Sequence, residues 1–116
     1  MYNEYMEGLV EKDGKIYNKE GEVAVIISPG FGAGWSTWNF EYSQDCLFDP
    51  DCVRLALVGK RDELKVLADS KWEDGYWNGA FDCVVRWLPA GTAFKVREYD
   101  GSESLEFQDS PNWFVA

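Results

Sequence analysis

An unbroken apolar run, Val23-Ala24-Val25-Ile26-Ile27, predicts a buried β-strand, and the rest of the chain can be laid out around it. The residues before it are polar and punctuated by glycine. Lys12-Asp13-Gly14-Lys15 places an Asp-Gly hairpin signal between Leu9-Val10 and Ile16-Tyr17, and Lys19-Glu20-Gly21-Glu22 turns the chain into the apolar strand. Pro29 ends that strand because it has no ladder donor. The chain then runs as a long loop, through Ser28-Pro29-Gly30-Phe31-Gly32-Ala33-Gly34-Trp35-Ser36-Thr37-Trp38-Asn39, to about Ser43. Loops of this length without regular structure are usually functional or mobile.

A helix is expected from Asp49-Pro50, with Asp49 as N-cap, Pro50 in the first helical position and Asp51 at the positive end of the dipole; Gly59 ends it. A second short helix is expected from Arg61 to Ser70, with Leu64, Val66 and Leu67 on its buried side and Trp72 closing it. Gly75-Tyr76-Trp77-Asn78-Gly79 forms another aromatic and glycine loop. Strands follow at Phe81–Leu88 and Ala93–Tyr99, the latter with Phe94 and Val96 on one face and Lys95, Arg97 and Tyr99 on the other. Asp100-Gly101 is a second hairpin signal, leading into a last strand at Ser104–Phe107. The tail after Asp109 is expected to be irregular, tied down by Trp113 and Phe114. The pattern defines an α+β fold in one domain: an antiparallel sheet with two short helices on one side.

Charge narrows the function. With 21 acidic and 11 basic residues the chain carries a formal net charge of −10, which repels phosphate backbones and argues against general nucleic-acid binding. Cys46, Cys52 and Cys83 make an odd count without paired spacing, so no disulfide framework is expected, and the lack of histidine argues against structural zinc. No stretch is long enough to cross a membrane, and Met1-Tyr2-Asn3-Glu4 lacks a basic-then-apolar pattern, so no signal peptide is expected. A reducing cytoplasm is the expected compartment.

Candidate chemistry centres on the glycine loop. Its spacing is GxGxG rather than the GxGxxG of a dinucleotide loop, a poor match, and it lacks the Gly-Lys-Ser/Thr of a P-loop. Two readings remain: a nest of backbone N–H groups for a small anion, or glycines that let the loop pack tightly against a neighbour. Nucleophilic catalysis lacks its histidine. Carboxylate pairs such as Asp49 with Asp51 and Glu98 with Asp100 read by default as solvated surface, although acidic metal-dependent hydrolysis remains a third reading. Arg86 and Arg97 lie in aromatic strand sequence. There a guanidinium can hold phosphate while a ring stacks on a base, or can pair with one of the many acids.

The blocks Ser-Pro-Gly-Phe-Gly-Ala-Gly-Trp-Ser-Thr-Trp-Asn at 28–39 and Arg-Glu-Tyr-Asp-Gly-Ser-Glu-Ser at 97–104, with Trp-Leu-Pro-Ala-Gly-Thr at 87–92, resemble a family of small proteins encoded by tailed phages and prophages. The resemblance runs from about Val23 to Phe107 and implies an accessory protein acting in the cytoplasm of an infected bacterium. By analogy with phage sponges it implies a counter-defence protein that sequesters a nucleotide immune signal, a cyclic nucleotide or an ADP-ribose derivative, without catalysis and without a cofactor, in a homo-oligomer. On this reading the amides of Gly30, Gly32 and Gly34 and the guanidinium groups of Arg86 and Arg97 hold phosphate. Trp35 or Trp38 stacks on the base, and Asn39, Asn78 or Asp100 bonds polar edges. Ser36, Trp77, Phe81, Tyr99 and Ser102 complete the lining of a pocket between the 30–39 loop, the 75–81 loop and the strand bearing Arg97. The alternative is an acidic interaction protein that blocks a DNA-binding or CRISPR-type defence protein of the host, the glycine–tryptophan loop then being purely structural.

Overall fold

A computed structural model describes residues 8–107 and 114–116. The polar N-terminal region forms the hairpin its sequence predicts. β1 (Val10–Lys12) and β2 (Lys15–Tyr17) are joined through Asp13 and Gly14, both in the left-handed region at φ 54° and 74°. Positive φ at both central residues gives the turn a twist that matches the flanking strands, and Asp-Gly tolerates it well. β3 (Glu22–Ile27) pairs with β2 on one side and with β4 (Val84–Pro89) on the other, so one antiparallel sheet has the order β1-β2-β3-β4. The second Asp-Gly turn, with Asp100 at φ 50° and Gly101 at φ 85°, joins β5 (Ala93–Tyr99) to β6 (Ser102–Phe107). β7 (Phe114–Val115) pairs with the other edge of β5, completing a second sheet of order β6-β5-β7.

The helices are α1 (Ser43–Phe48), α2 (Pro50–Leu57) and α3 (Arg61–Lys71). Asp49 caps α2 as its sequence predicts, its carboxylate accepting from the Cys52 amide at 3.0 Å, and Gly59 follows the helix at φ 75°. α3 buries Leu64 and Ala68, one turn apart, with Leu67 half-buried beside them. Val66 is instead 68% exposed. Two positions beyond Leu64 a residue has rotated about 200° around the helix, which carries it to the far side.

β3 is buried on both faces, and this sets the layering. Ala24 and Ile26 face a core built with Val53, Leu64 and Ala68 of the helices and with Trp35 and Trp77. Val23, Val25 and Ile27 face a second core with Leu88 and Phe94, against which Val96 and Leu105 also pack. The first sheet is thus sandwiched between α2 and α3 on one side and the second sheet on the other. α1 contributes to both cores, Cys46 to the first and Leu47 and Phe48 to the second.

The α+β class and the antiparallel pairing agree with the sequence pattern; several details differ. The strands divide into two sheets rather than one. A third helix, α1, preceded by a 3₁₀ turn at Phe40–Tyr42, occupies the end of the expected long loop. It spans six residues and has no capping side chain at Tyr42, and an acidic residue in the first turn, Asp45, is a weak start signal beside it. The strand expected from Phe81 begins at Val84, after a 3₁₀ turn at Asn78–Asp82. Phe114 and Val115 form a strand where an irregular tail was expected, while Trp113 lies outside the described residues. Among the described residues no helix is long and apolar enough to cross a membrane.

Candidate functional site

The three segments expected to build a pocket do converge. Asn39 clamps the first loop to the second, donating to the carbonyls of Trp35 and Tyr76 at 2.7 and 2.8 Å and accepting from the Tyr76 amide at 2.6 Å. Gly79 packs against the same loop so closely that a Cβ there would lie 2.6 Å from the Gly34 carbonyl oxygen. The β5–β6 turn closes the third side, the Gly32 amide donating to the Asp100 carbonyl at 2.7 Å.

What fills the centre is not an open cradle. Glu103, the second residue of β6, is 2% exposed and lies inside the glycine loop. One carboxylate oxygen accepts from the Ser28 amide at 2.8 Å. The other accepts from the amides of Trp35 and Thr37, at 2.8 and 3.0 Å, and from the Thr37 hydroxyl at 2.6 Å. In return the Glu103 amide donates to the Ser28 carbonyl at 2.8 Å. The backbone donors gathered here are the amides of Ser28, Trp35 and Thr37 rather than those of Gly30, Gly32 and Gly34, and the group they hold is the chain's own side chain. Burial pushes the Glu103 carboxyl above the usual glutamate range, while the donors from Thr37, Ser28 and Trp35 pull it back down.

Several expected ligand contacts are consequently committed elsewhere. Trp35 is fully buried, with its indole N–H on the Cys46 carbonyl at 2.8 Å and its ring edge-on to Trp77 at 4.8 Å. Trp77 is buried too and donates to the Trp72 carbonyl, and Ser36 lies in the interior, so none of these three offers a free surface. Asn39 has its amide occupied by the clamp. Gly34 and Gly79 serve close packing, and a Cβ on Gly30 would meet the Asp82 side chain.

Strand parity separates Arg97 from the loops. Glu98 lies on the loop side of β5, accepting from the Gly101 amide at 2.8 Å and from the Trp38 indole at 3.4 Å. Arg97, one residue earlier, projects from the opposite face and pairs with Glu106 at 3.0 Å. Tyr99 is 74% exposed and shares the parity of Arg97. Arg86 lies on β4 in a separate groove of about 500 Å³, together with Trp87, Ser102 and Ser104. There the Ser102 hydroxyl donates to the Pro29 carbonyl at 2.7 Å. Asp100 contributes its carbonyl to Gly32, and Phe81 is 45% exposed beside the second loop.

One part of the convergence remains open. Trp38 is 41% exposed and its ring lies 5.7 Å from that of Tyr76. Both border a cleft of about 390 Å³ that Phe40, Tyr42, Glu41 and Asp74 also line. Asn78 donates to the Tyr76 hydroxyl at 2.9 Å and holds that ring in place. Among the described residues no lysine or arginine lines the cleft. Partial desolvation and the nearby Asp74 and Glu41 carboxylates raise the pKa of the Tyr42 phenol.

The feature that sequence reasoning missed is Glu103, although its signal was available. The Asp100-Gly101 turn fixes the register, pairing Glu98 with Glu103 and Val96 with Leu105. That register puts Glu103 on the same inward row as Leu105, where a carboxylate requires donors.

Among the described residues no group of His, Cys, Asp and Glu side chains is arranged to hold a metal ion. No protein family model matches the chain, and no curated protein or solved structure matches it.

Proposed function

We infer that this is a non-catalytic binding protein, a phage accessory factor that acts in the bacterial cytoplasm by occupying a basic, DNA-binding component of host defence. One observation carries the reading: the open part of the site pairs exposed aromatic rings with carboxylates and, among the described residues, contains no cation. Such a surface, on a chain of net charge −10, attracts positively charged partners and repels phosphate. Aromatic rings supply contact area and carboxylates supply orientation and encounter rate. The test is capture of a purified DNA-binding defence nuclease, measured by calorimetry from low to high salt. Affinity should fall steeply with salt, and double-stranded DNA should compete. Salt-independent binding, or a DNA-bound nuclease that still binds this protein, would count against it.

A second reading, sequestration of a nucleotide immune signal in a homo-oligomer, is favoured by a different observation. Arg86 makes no ion pair among the described residues and shares its groove with an indole and two serines. A guanidinium, a ring and hydroxyls are the groups a nucleotide needs. Thermal shift against cyclic nucleotides and ADP-ribose derivatives tests it. A stabilisation that Arg86→Ala removes and Trp38→Ala leaves intact would favour this second reading.

A further inference from the structure

The cleft bordered by Trp38 and Tyr76 combines four properties that together specify an occupant. It is lined by aromatic rings, three of them substantially exposed: Trp38 at 41%, Tyr76 at 49% and Phe40 at 86%. Its two carboxylates, Glu41 and Asp74, accept no hydrogen bond and join no ion pair among the described residues, while their combined field reaches the Tyr42 hydroxyl. Its walls are fixed in advance. Trp38 follows Thr37, which Glu103 grips through both amide and hydroxyl, and Tyr76 is held by the buried Asn39 clamp and by Asn78. Its volume, about 390 Å³, is within the range of sites that take a small group.

A preformed aromatic slot with unpaired carboxylates favours a cation that is flat. Guanidinium stacks on indole and phenol rings and meets carboxylates with paired N–H donors, whereas ammonium is a compact, strongly hydrated point charge. A nucleobase would also stack on Trp38, but its phosphate would then approach Glu41, Asp74 and Glu98 with no cation to receive it. We propose that the Trp38–Tyr76 cleft seats an arginine side chain presented by a basic segment of the partner protein. The guanidinium lies against the indole and pairs with Glu41 or Asp74. This deepens the acidic-docking reading given above and rests on it. The preorganised walls make the cleft the anchor of the interface, while the remaining acidic surface supplies long-range attraction.

The test uses ¹⁵N-labelled full-length protein titrated with a peptide of alternating arginine and glycine, and with its lysine counterpart. The chain has six tryptophans, and the Trp38 indole signal is assigned by its loss in Trp38→Ala. The arginine peptide should shift the Trp38 indole and the Tyr76 amide together, and bind about tenfold more tightly than the lysine peptide. Trp38→Ala, and separately the double change Glu41→Gln with Asp74→Asn, should each weaken the arginine peptide by about tenfold and abolish its preference over lysine. All three positions are on the surface, and unchanged signals for the buried Trp35 and Trp77 indoles report that the fold is intact. Equal affinity for the two peptides, or binding unaffected by these variants, would overturn the arginine seat. If such variant-insensitive binding is still lost with salt, docking by general charge stands and only the seat fails. Absence of binding by either peptide at low salt would overturn both.

Discussion

Replacing Glu103 by alanine removes the acceptor for four donors at once: the amides of Ser28, Trp35 and Thr37 and the Thr37 hydroxyl. Thr37 is half-buried, so water can reach its two groups after the change. The Ser28 and Trp35 amides are sealed in, and each buried donor left without a partner costs about 1–3 kcal/mol. Relief from burying a carboxylate offsets part of this, leaving a net loss of roughly 2–5 kcal/mol. In a domain of this size that lowers the melting temperature by about 10–20 °C. Glu103→Gln keeps the shape and one carbonyl acceptor but turns an NH₂ group toward donors, so it should fall between wild type and alanine. Calorimetry on the three proteins measures the series. A Glu103→Ala protein that melts within two or three degrees of wild type, an interval about the size of a single surface substitution, would refute the claim that this carboxylate holds the loop.

Three further predictions follow from the same geometry. The folded pKa of Glu103 lies above its ordinary value of 4.5. The native state therefore binds that proton more tightly than the unfolded chain does, and the associated stability is fully present below 4.5 and is lost as pH rises through the folded pKa. The stability difference between wild type and Glu103→Gln, from urea unfolding at several pH values, should therefore move in favour of wild type on acidification from neutral pH. The opposite slope would mean that the four donors outweigh burial. Gly79→Ala should cost about 1–3 kcal/mol, because its new methyl meets backbone at Gly34 rather than a side chain that can swing away; a change in urea midpoint corresponding to less than half a kcal/mol would contradict the tight approach. Cys46, Cys52 and Cys83 are free and buried, and desolvation raises all three thiol pKa values. A thiol-reactive dye should label none of them in the folded protein on the timescale of minutes and all of them in denaturant, and fast labelling of the native protein would contradict the packing.

The elements legible from the sequence were those with local signatures. Asp13-Gly14 and Asp100-Gly101 dictate their turns through backbone conformation alone, and Asp49-Pro50 announces α2 by capping chemistry. β3 declared its burial by five apolar residues in a row. The convergence of the 30–39 loop, the 75–81 loop and the end of β5 was also legible in outline. The chemistry at their meeting point was not, because it depends on long-range register. Glu103 lies 75 positions from Ser28, and only the pairing of β6 with β5 and its docking beside the end of β3 bring the two together. Trp35 and Trp38 look equivalent in sequence; packing around Cys46 and Trp77 takes the first into the interior and leaves the second on the surface.

The double burial of β3 bears on how the molecule can be divided. Its even-numbered side chains complete one core and its odd-numbered side chains the other, so a fragment that omits this strand deprives both of a wall. Without β3 the helical half loses Ala24 and Ile26 from its core and the C-terminal hairpin sheet loses Val23, Val25 and Ile27 from its own, so each piece expressed alone should be less stable than the intact chain. A strand shared in this way couples the two cores, so loosening one removes a wall from the other and favours melting as a unit.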